Sequence, residues 1–160
     1  MLKSKNVELV KAAAGFVHEE SSYIGKLIQQ RAFSENWGCV IDGINDGAFE
    51  KVHSRANAIR KATGKTIRAD YVSLDTELSL KLAVLRAEKT GRYVNPKFIL
   101  DANKDVSRLF PDVINKKTFD ELYLWDTNIN GNPRLILKQI KGKLKIYDQE
   151  LYERFLSKGK

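Results

Sequence analysis

Two arginines, Arg86 and Arg92, bracket the segment Ala87-Glu88-Lys89-Thr90-Gly91 near the end of a helical pattern. Guanidinium forks match phosphate oxygens two at a time. Stabilising charge on a transferring phosphoryl group is the main task of an enzyme that moves one. A glycine break between two such arginines suits a mobile lid that converges on a phosphate. A surface reading competes with it, in which Arg86 pairs with nearby acids and Arg92 caps the last carbonyls. A second candidate is Asp42, which closes the apolar run Trp37-Gly38-Cys39-Val40-Ile41 and is followed by Gly43. That pattern predicts a buried parallel strand with a carboxylate at its C-terminal edge, where open α/β sheets bind ligands. Capping of the following helix explains Asp42 equally well.

Other chemical signals fail on spacing. Ala62-Thr63-Gly64-Lys65-Thr66 resembles the end of a phosphate-binding P-loop, but Ile59 stands where the first glycine belongs. The order is also reversed, because a helix ends and a strand begins there, whereas a P-loop needs amides at a helix N-terminus. Asp126-Thr127-Asn128-Ile129-Asn130-Gly131 opens like a calcium loop, yet Leu137 takes the position of the bidentate glutamate. His18-Glu19 lacks the second histidine of a zinc-protease helix. Cys39, set within the apolar run, is expected to be too buried for a nucleophile.

The elements that must position these residues follow from periodicity. From about Asn6 to Glu35, Val10, Ala14, Val17, Ile24, Leu27, Ile28 and Ala32 fall at helical spacing. The polar stretch His18-Glu19-Glu20-Ser21-Ser22 interrupts that pattern. After the run to Asp42, a helix is predicted through Ala62, closed by Gly64. A strand follows over Thr66 to Leu74, and Asp75 or Thr76 caps the next helix, whose apolar face is Leu78, Leu82 and Leu85. Asn95 and Pro96 start another helix, ending near Phe110-Pro111. Leu122 to Trp125 is a third short strand. Leu135–Ile140 and Leu144–Tyr147 form a hairpin appended to the core, and a last helix runs from about Gln149 to Leu156. The alternation predicts an α/β domain with a parallel core sheet, occupying residues 1–160 as one unit.

In this order and spacing, His18-Glu19-Glu20-Ser21-Ser22, Val40-Ile41-Asp42-Gly43, the Arg86–Arg92 segment with Tyr93-Val94-Asn95-Pro96, and Leu122-Tyr123-Leu124-Trp125-Asp126 resemble the zeta-toxin family of kinases. The likeness runs from about Ala12 to Ile140. It implies a three-layer P-loop-kinase fold and ATP-dependent phosphorylation of a hydroxyl, in family members on a UDP-linked amino sugar. It implies further that Arg86 and Arg92 clamp ATP phosphates, and that Asn128 contributes to nucleotide binding. Asp42 and the segment carrying His18, Glu19, Glu20 and Ser21 would face the acceptor.

The departure is at the N-terminus. The family's first strand, Gly-rich P-loop and following helix, with the aspartate that acts as catalytic base, have no counterpart in the 160 residues. A central strand missing from a sheet leaves unpaired edges, and each buried unsatisfied amide costs on the order of 1–3 kcal/mol. The expectation is therefore a C-terminal piece of a longer or split kinase, binding neither ATP nor Mg²⁺ by itself. Partners would be a P-loop-bearing segment or an antitoxin-like protein.

Composition sets the outer limits. The chain carries 28 Lys and Arg against 20 Asp and Glu, a formal charge of +8. That surplus permits polyanion binding, with Lys138 to Lys145 the densest patch. No zinc-ligand spacing or aromatic-glycine RNA-binding signature accompanies it, so nucleic acid is not the expected partner. A non-catalytic basic binding module that keeps the fold is the alternative. One cysteine, no apolar run of spanning length and no secretory leader fit the cytoplasm.

Overall fold

The computed structural model describes residues 20–42 and 47–160. The chain divides into two compact units, Met1–Asp42 and Gly43–Lys160. In the first, residues 20–34 form a helix, α1. It ends in a Schellman turn: Asn36 has φ 59°, its N–H donates to Phe33 O, and Trp37 N–H donates to Ala32 O at 2.8 Å. An asparagine suits that left-handed position. The stripe expected to pack a core stays largely in solvent. Ala32 is buried, but Tyr23, Ile24, Leu27 and Ile28 are exposed.

Residues 37–42 are not a buried strand. They have no regular structure and are exposed throughout, Val40 at 98%. An apolar run becomes a strand only when another strand satisfies its backbone, and no described strand pairs with this one. Cys39 is exposed as well, so burial does not exclude it as a nucleophile. Residues 43–46 lie outside the described residues.

The second unit runs α2 (Phe49–Thr63), β1 (Arg68–Ser73), α3 (Thr76–Thr90), α4 (Pro96–Asn115), β2 (Glu121–Asp126), β3 (Arg134–Ile140), β4 (Lys143–Ile146) and α5 (Gln149–Ser157). Local chemistry sets most of the boundaries. Gly64 closes α2 in the left-handed region. Asp75 Oδ1 accepts from the N–H groups of Glu77 and Leu78 at the start of α3. Asn95 Oδ1 caps α4 with Pro96 in its first turn. Lys141 and Gly142, both at positive φ, make the two-residue loop that a tight hairpin requires.

The sheet is four-stranded and mixed, in the order β1-β2-β3-β4. β1 and β2 are parallel, whereas β2–β3 and β3–β4 are antiparallel. The α/β class therefore holds, but the sheet is not parallel throughout. The hairpin is no appendage either: β3 pairs along the full length of β2 and places Ile136 and Leu137 in the core.

Alternation assigns the two faces. Tyr71 of β1, Leu122 and Leu124 of β2 and Leu137 of β3 point inward to Val52 of α2, Leu109, Phe110, Val113 and Ile114 of α4, and Phe155 of α5. Phe110 is the hub, in edge-to-face contact with Tyr71 and Phe155 at centroid distances of 5.0 and 5.1 Å. α4 continues through Pro111 to Asn115. A proline removes one helical hydrogen bond, and the core contacts of Val113 and Ile114 on the next turn outweigh that loss. α3 contributes no buried residue: Leu82 and Leu85, expected on its packed face, are exposed.

Candidate functional site at the carboxyl edge of the parallel pair

β1 and β2 end together, with Ser73 in register with Asp126. Both are buried polar residues, 7% and 5% exposed. Polar groups enclosed at the carboxyl ends of parallel strands occupy the position where open α/β sheets hold ligands. The β2 exit is fastened to β1, because Thr127 N–H donates to Ser73 O at 3.0 Å and its hydroxyl donates to the same oxygen. Asn128 continues the tie. Its Oδ1 accepts from Asp75 N–H at 2.7 Å, while its backbone and side-chain N–H groups both donate to Asp126 Oδ1.

α5 and the residues after it bring two cations to this edge. Arg154 donates to Asp75 Oδ2 at 2.7 Å. Lys158 Nζ donates to Leu74 O at 2.7 Å and to Ser73 Oγ at 3.0 Å. Burial holds the Lys158 ammonium below the ordinary lysine range, an effect partly offset by the carboxylates of Asp75 and Asp126. Asp75 is held below the ordinary carboxylate range by the Leu78 N–H and then by Arg154. The edge thus gathers two carboxylates, an ammonium, a guanidinium and a serine hydroxyl, a set able to orient a polar ligand and carry its charge.

The residues expected from the sequence divide between the two units. His18 and Glu19 lie outside the described residues. Glu20 and Ser21 sit in the first described turn of α1, and Asp42 ends the exposed run. Arg86 lies in the penultimate turn of α3, and Arg92 follows its C-cap Gly91. Both side chains are exposed, and among the described residues neither guanidinium has an ion-pair partner. Thr90 joins them through the backbone, donating to Arg86 O and accepting from Arg92 N–H. At a helical rise of about 1.5 Å per residue, Arg86 lies roughly 16 Å along α3 from the Asp75 cap. Arg86 and the carboxyl edge are therefore separate places on this unit. Asn128 belongs to the edge, with its amide already engaged in the loop. Among the described residues, no group of three or more His, Cys, Asp or Glu could hold a metal ion.

Chains in three crystal structures share this fold. They come from the AvrRxo1-ORF1:AvrRxo1-ORF2 complex with sulphate ions (TM-score 0.71, 18% identity), with ATP (0.68, 18%) and in native form (0.67, 17%). The match covers 87–88% of this chain but only 45% of those chains. The fold is shared. No protein-family model matches the sequence, and no curated protein does.

Asp126 was open to sequence reading, since Leu-Tyr-Leu-Trp-Asp ends on an acid as the run to Asp42 does. Ser73 carried only the weaker signal of a strand terminus. Lys158 had none, because nothing in its neighbours announces that the chain folds back over β1. Among the described residues, no helix is long and apolar enough to cross a membrane.

Proposed function

We propose that this chain is the lid- and acceptor-side portion of a zeta-toxin-like kinase with three-layer P-loop layering, which transfers a phosphoryl group from ATP to a small-molecule hydroxyl. The observation that carries the reading is the fold it has in common with a chain from a complex solved with ATP. The exposed arginines at the end of α3 add to it, since neither is spent on an ion pair among the described residues. Free guanidinium forks on a helix end closed by glycine fit a phosphate clamp. The other structures, solved as two-component complexes, support a protein partner for this chain too.

In the complete domain, ATP and Mg²⁺ would be held by a P-loop absent from these 160 residues. Mg²⁺ would supply positive charge to the phosphates when bound there, and Arg86 and Arg92 would neutralise the charge developing on the transferred group. The test is titration calorimetry with ATP and Mg²⁺, on the chain alone and with a P-loop-bearing segment supplied in trans. The expected result is no micromolar affinity alone and binding on complementation. Phosphate transfer by the complemented protein should fall by about 10³-fold in Arg86→Ala or Arg92→Ala. Micromolar ATP binding by the isolated chain, or alanine variants with full transfer, would overturn the proposal.

A further inference from the structure

The sheet has a second face, and register brings residues together on it that are scattered in sequence. Arg68, Asp70 and Val72 of β1 point away from the core, as do Tyr123 and Trp125 of β2. Lys138 of β3 lies opposite Tyr123 and directly across from Lys145 of β4. The β1–β2 half is electrically satisfied. Arg68 grips Asp70 with two bonds of 2.7 and 2.8 Å and lies 4.3 Å from the Tyr123 ring centroid. Trp125 Nε1 donates to Asp70, Tyr123 OH donates to Glu121, and the Tyr123 and Trp125 rings stack.

In the β3–β4 half Lys138 is hydrogen-bonded to the Tyr147 side chain, but its charge meets no carboxylate among the described residues. Lys138 and Lys145 converge on one ring, that of Tyr147, at 5.7 and 4.7 Å. Lys143 follows the same alternation as Lys145, and no carboxylate pairs with any of the three among the described residues. Like charges directly opposite in a sheet destabilise it. Lysines on an edge strand are a common guard against strand addition, which accounts for Lys143 and Lys145 on β4. It does not account for Lys138, which stands on the interior strand β3. Tyr147 is 46% exposed between the two ammonium groups.

We infer that this face is a docking surface for single-stranded nucleic acid, with phosphates on Lys138, Lys143 and Lys145 and bases against Tyr147 and the Tyr123–Trp125 pair. Lysines without carboxylate partners, beside an exposed ring (Tyr147) and two half-buried ones (Tyr123 and Trp125), are the combination that single strands use, with the cations tracking the backbone and the rings taking the bases. Four-stranded sheets with one face covered by helices bind single-stranded RNA on the open face in this way. The inference stands on charge and register, and it competes with three-layer packing, which would lay helices over this face.

The experiment is fluorescence anisotropy of labelled oligouridylate and oligothymidylate titrated with the full chain at several salt concentrations. Three phosphate contacts predict a log–log salt slope of about −2 for a single strand, and Lys138→Gln with Lys145→Gln should flatten it by about 1.4. Tyr147→Ser should weaken binding at least tenfold with the salt slope unchanged. The charge-matched control Lys81→Gln with Lys89→Gln, on α3, should bind as wild type. In a Trp37→Phe background the oligonucleotide should quench Trp125. Thermal melts establish that each variant is folded. Equal binding of duplex DNA, polyglutamate or anionic vesicles would overturn the inference by reducing the face to an unspecific cation patch. So would binding that ignores Lys138, Lys145 and Tyr147.

Discussion

Asp75 serves three purposes, two with its carboxylate oxygens and one with its backbone N–H. One oxygen accepts the first free N–H groups of α3, and the other receives Arg154 from α5. Its backbone N–H is held by Asn128 from the loop after β2. Replacing a capping aspartate by alanine costs about 1 kcal/mol, and the exposed Arg154 pair adds little after solvent screening. Asp75→Ala is therefore expected to lower stability by about 1 kcal/mol, read from urea melts at neutral pH. The pH dependence follows from the direction of its shift. The folded-state pKa lies below the unfolded one, so the stabilisation is fully present above the ordinary carboxylate pKa. It is lost as pH falls through the folded value. The difference between wild type and Asp75→Ala should shrink as pH falls below about 4, the ordinary carboxylate pKa. A constant difference over that range would mean that the carboxylate is not what stabilises this corner.

At the scale of elements, the positions legible in the sequence are those decided by near neighbours. Gly64, Asp75 and Asn95-Pro96 end or begin helices through contacts within four residues, and each does so where expected. Trp37 to Asp42 was misleading because an apolar run states a wish for burial without naming a partner. The hairpin departs from its expected place outside the core for the complementary reason. Its loop is local, but its pairing with β2 joins Glu121 to Ile140 across the whole intervening turn. Pro111 looked like a helix end, and long-range packing carried α4 past it. The candidate site was legible at single residues and not as an assembly, since Lys158 meets Ser73 across 85 positions. The helices also differ in what they contribute. Phe110, fully buried between sheet and α5, should cost about 3–5 kcal/mol as Phe110→Ala. Leu82 on α3 is 46% exposed, so Leu82→Ala should stay within about 0.5 kcal/mol. Equal losses in chemical denaturation would show that α3 is packed in solution.

For the whole molecule, the informative contrast is between the buried cluster of the second unit and the exposed apolar side chains of described residues 20–42. Every member of the buried hydrophobic cluster, from Val52 to Phe155, lies in the second unit. The apolar side chains of residues 20–42 are mostly in solvent, Ala32 excepted. Burial of apolar surface is the dominant favourable contribution to folding, so the stability of the chain should reside in the second unit. Residues 47–160 expressed alone are expected to melt cooperatively, with a midpoint within a few degrees of the full chain and the near-ultraviolet signal of Trp125 retained. The members of that core come from β1, β2, β3, α2, α4 and α5. A non-cooperative melt of the shorter chain, or a drop in midpoint beyond about 8 °C, more than roughly 1 kcal/mol produces in a domain of this size, would locate a substantial part of the stability in the first unit. That outcome would also turn the exposed stripe of Tyr23, Ile24, Leu27 and Ile28 into the first place to look for the missing contacts.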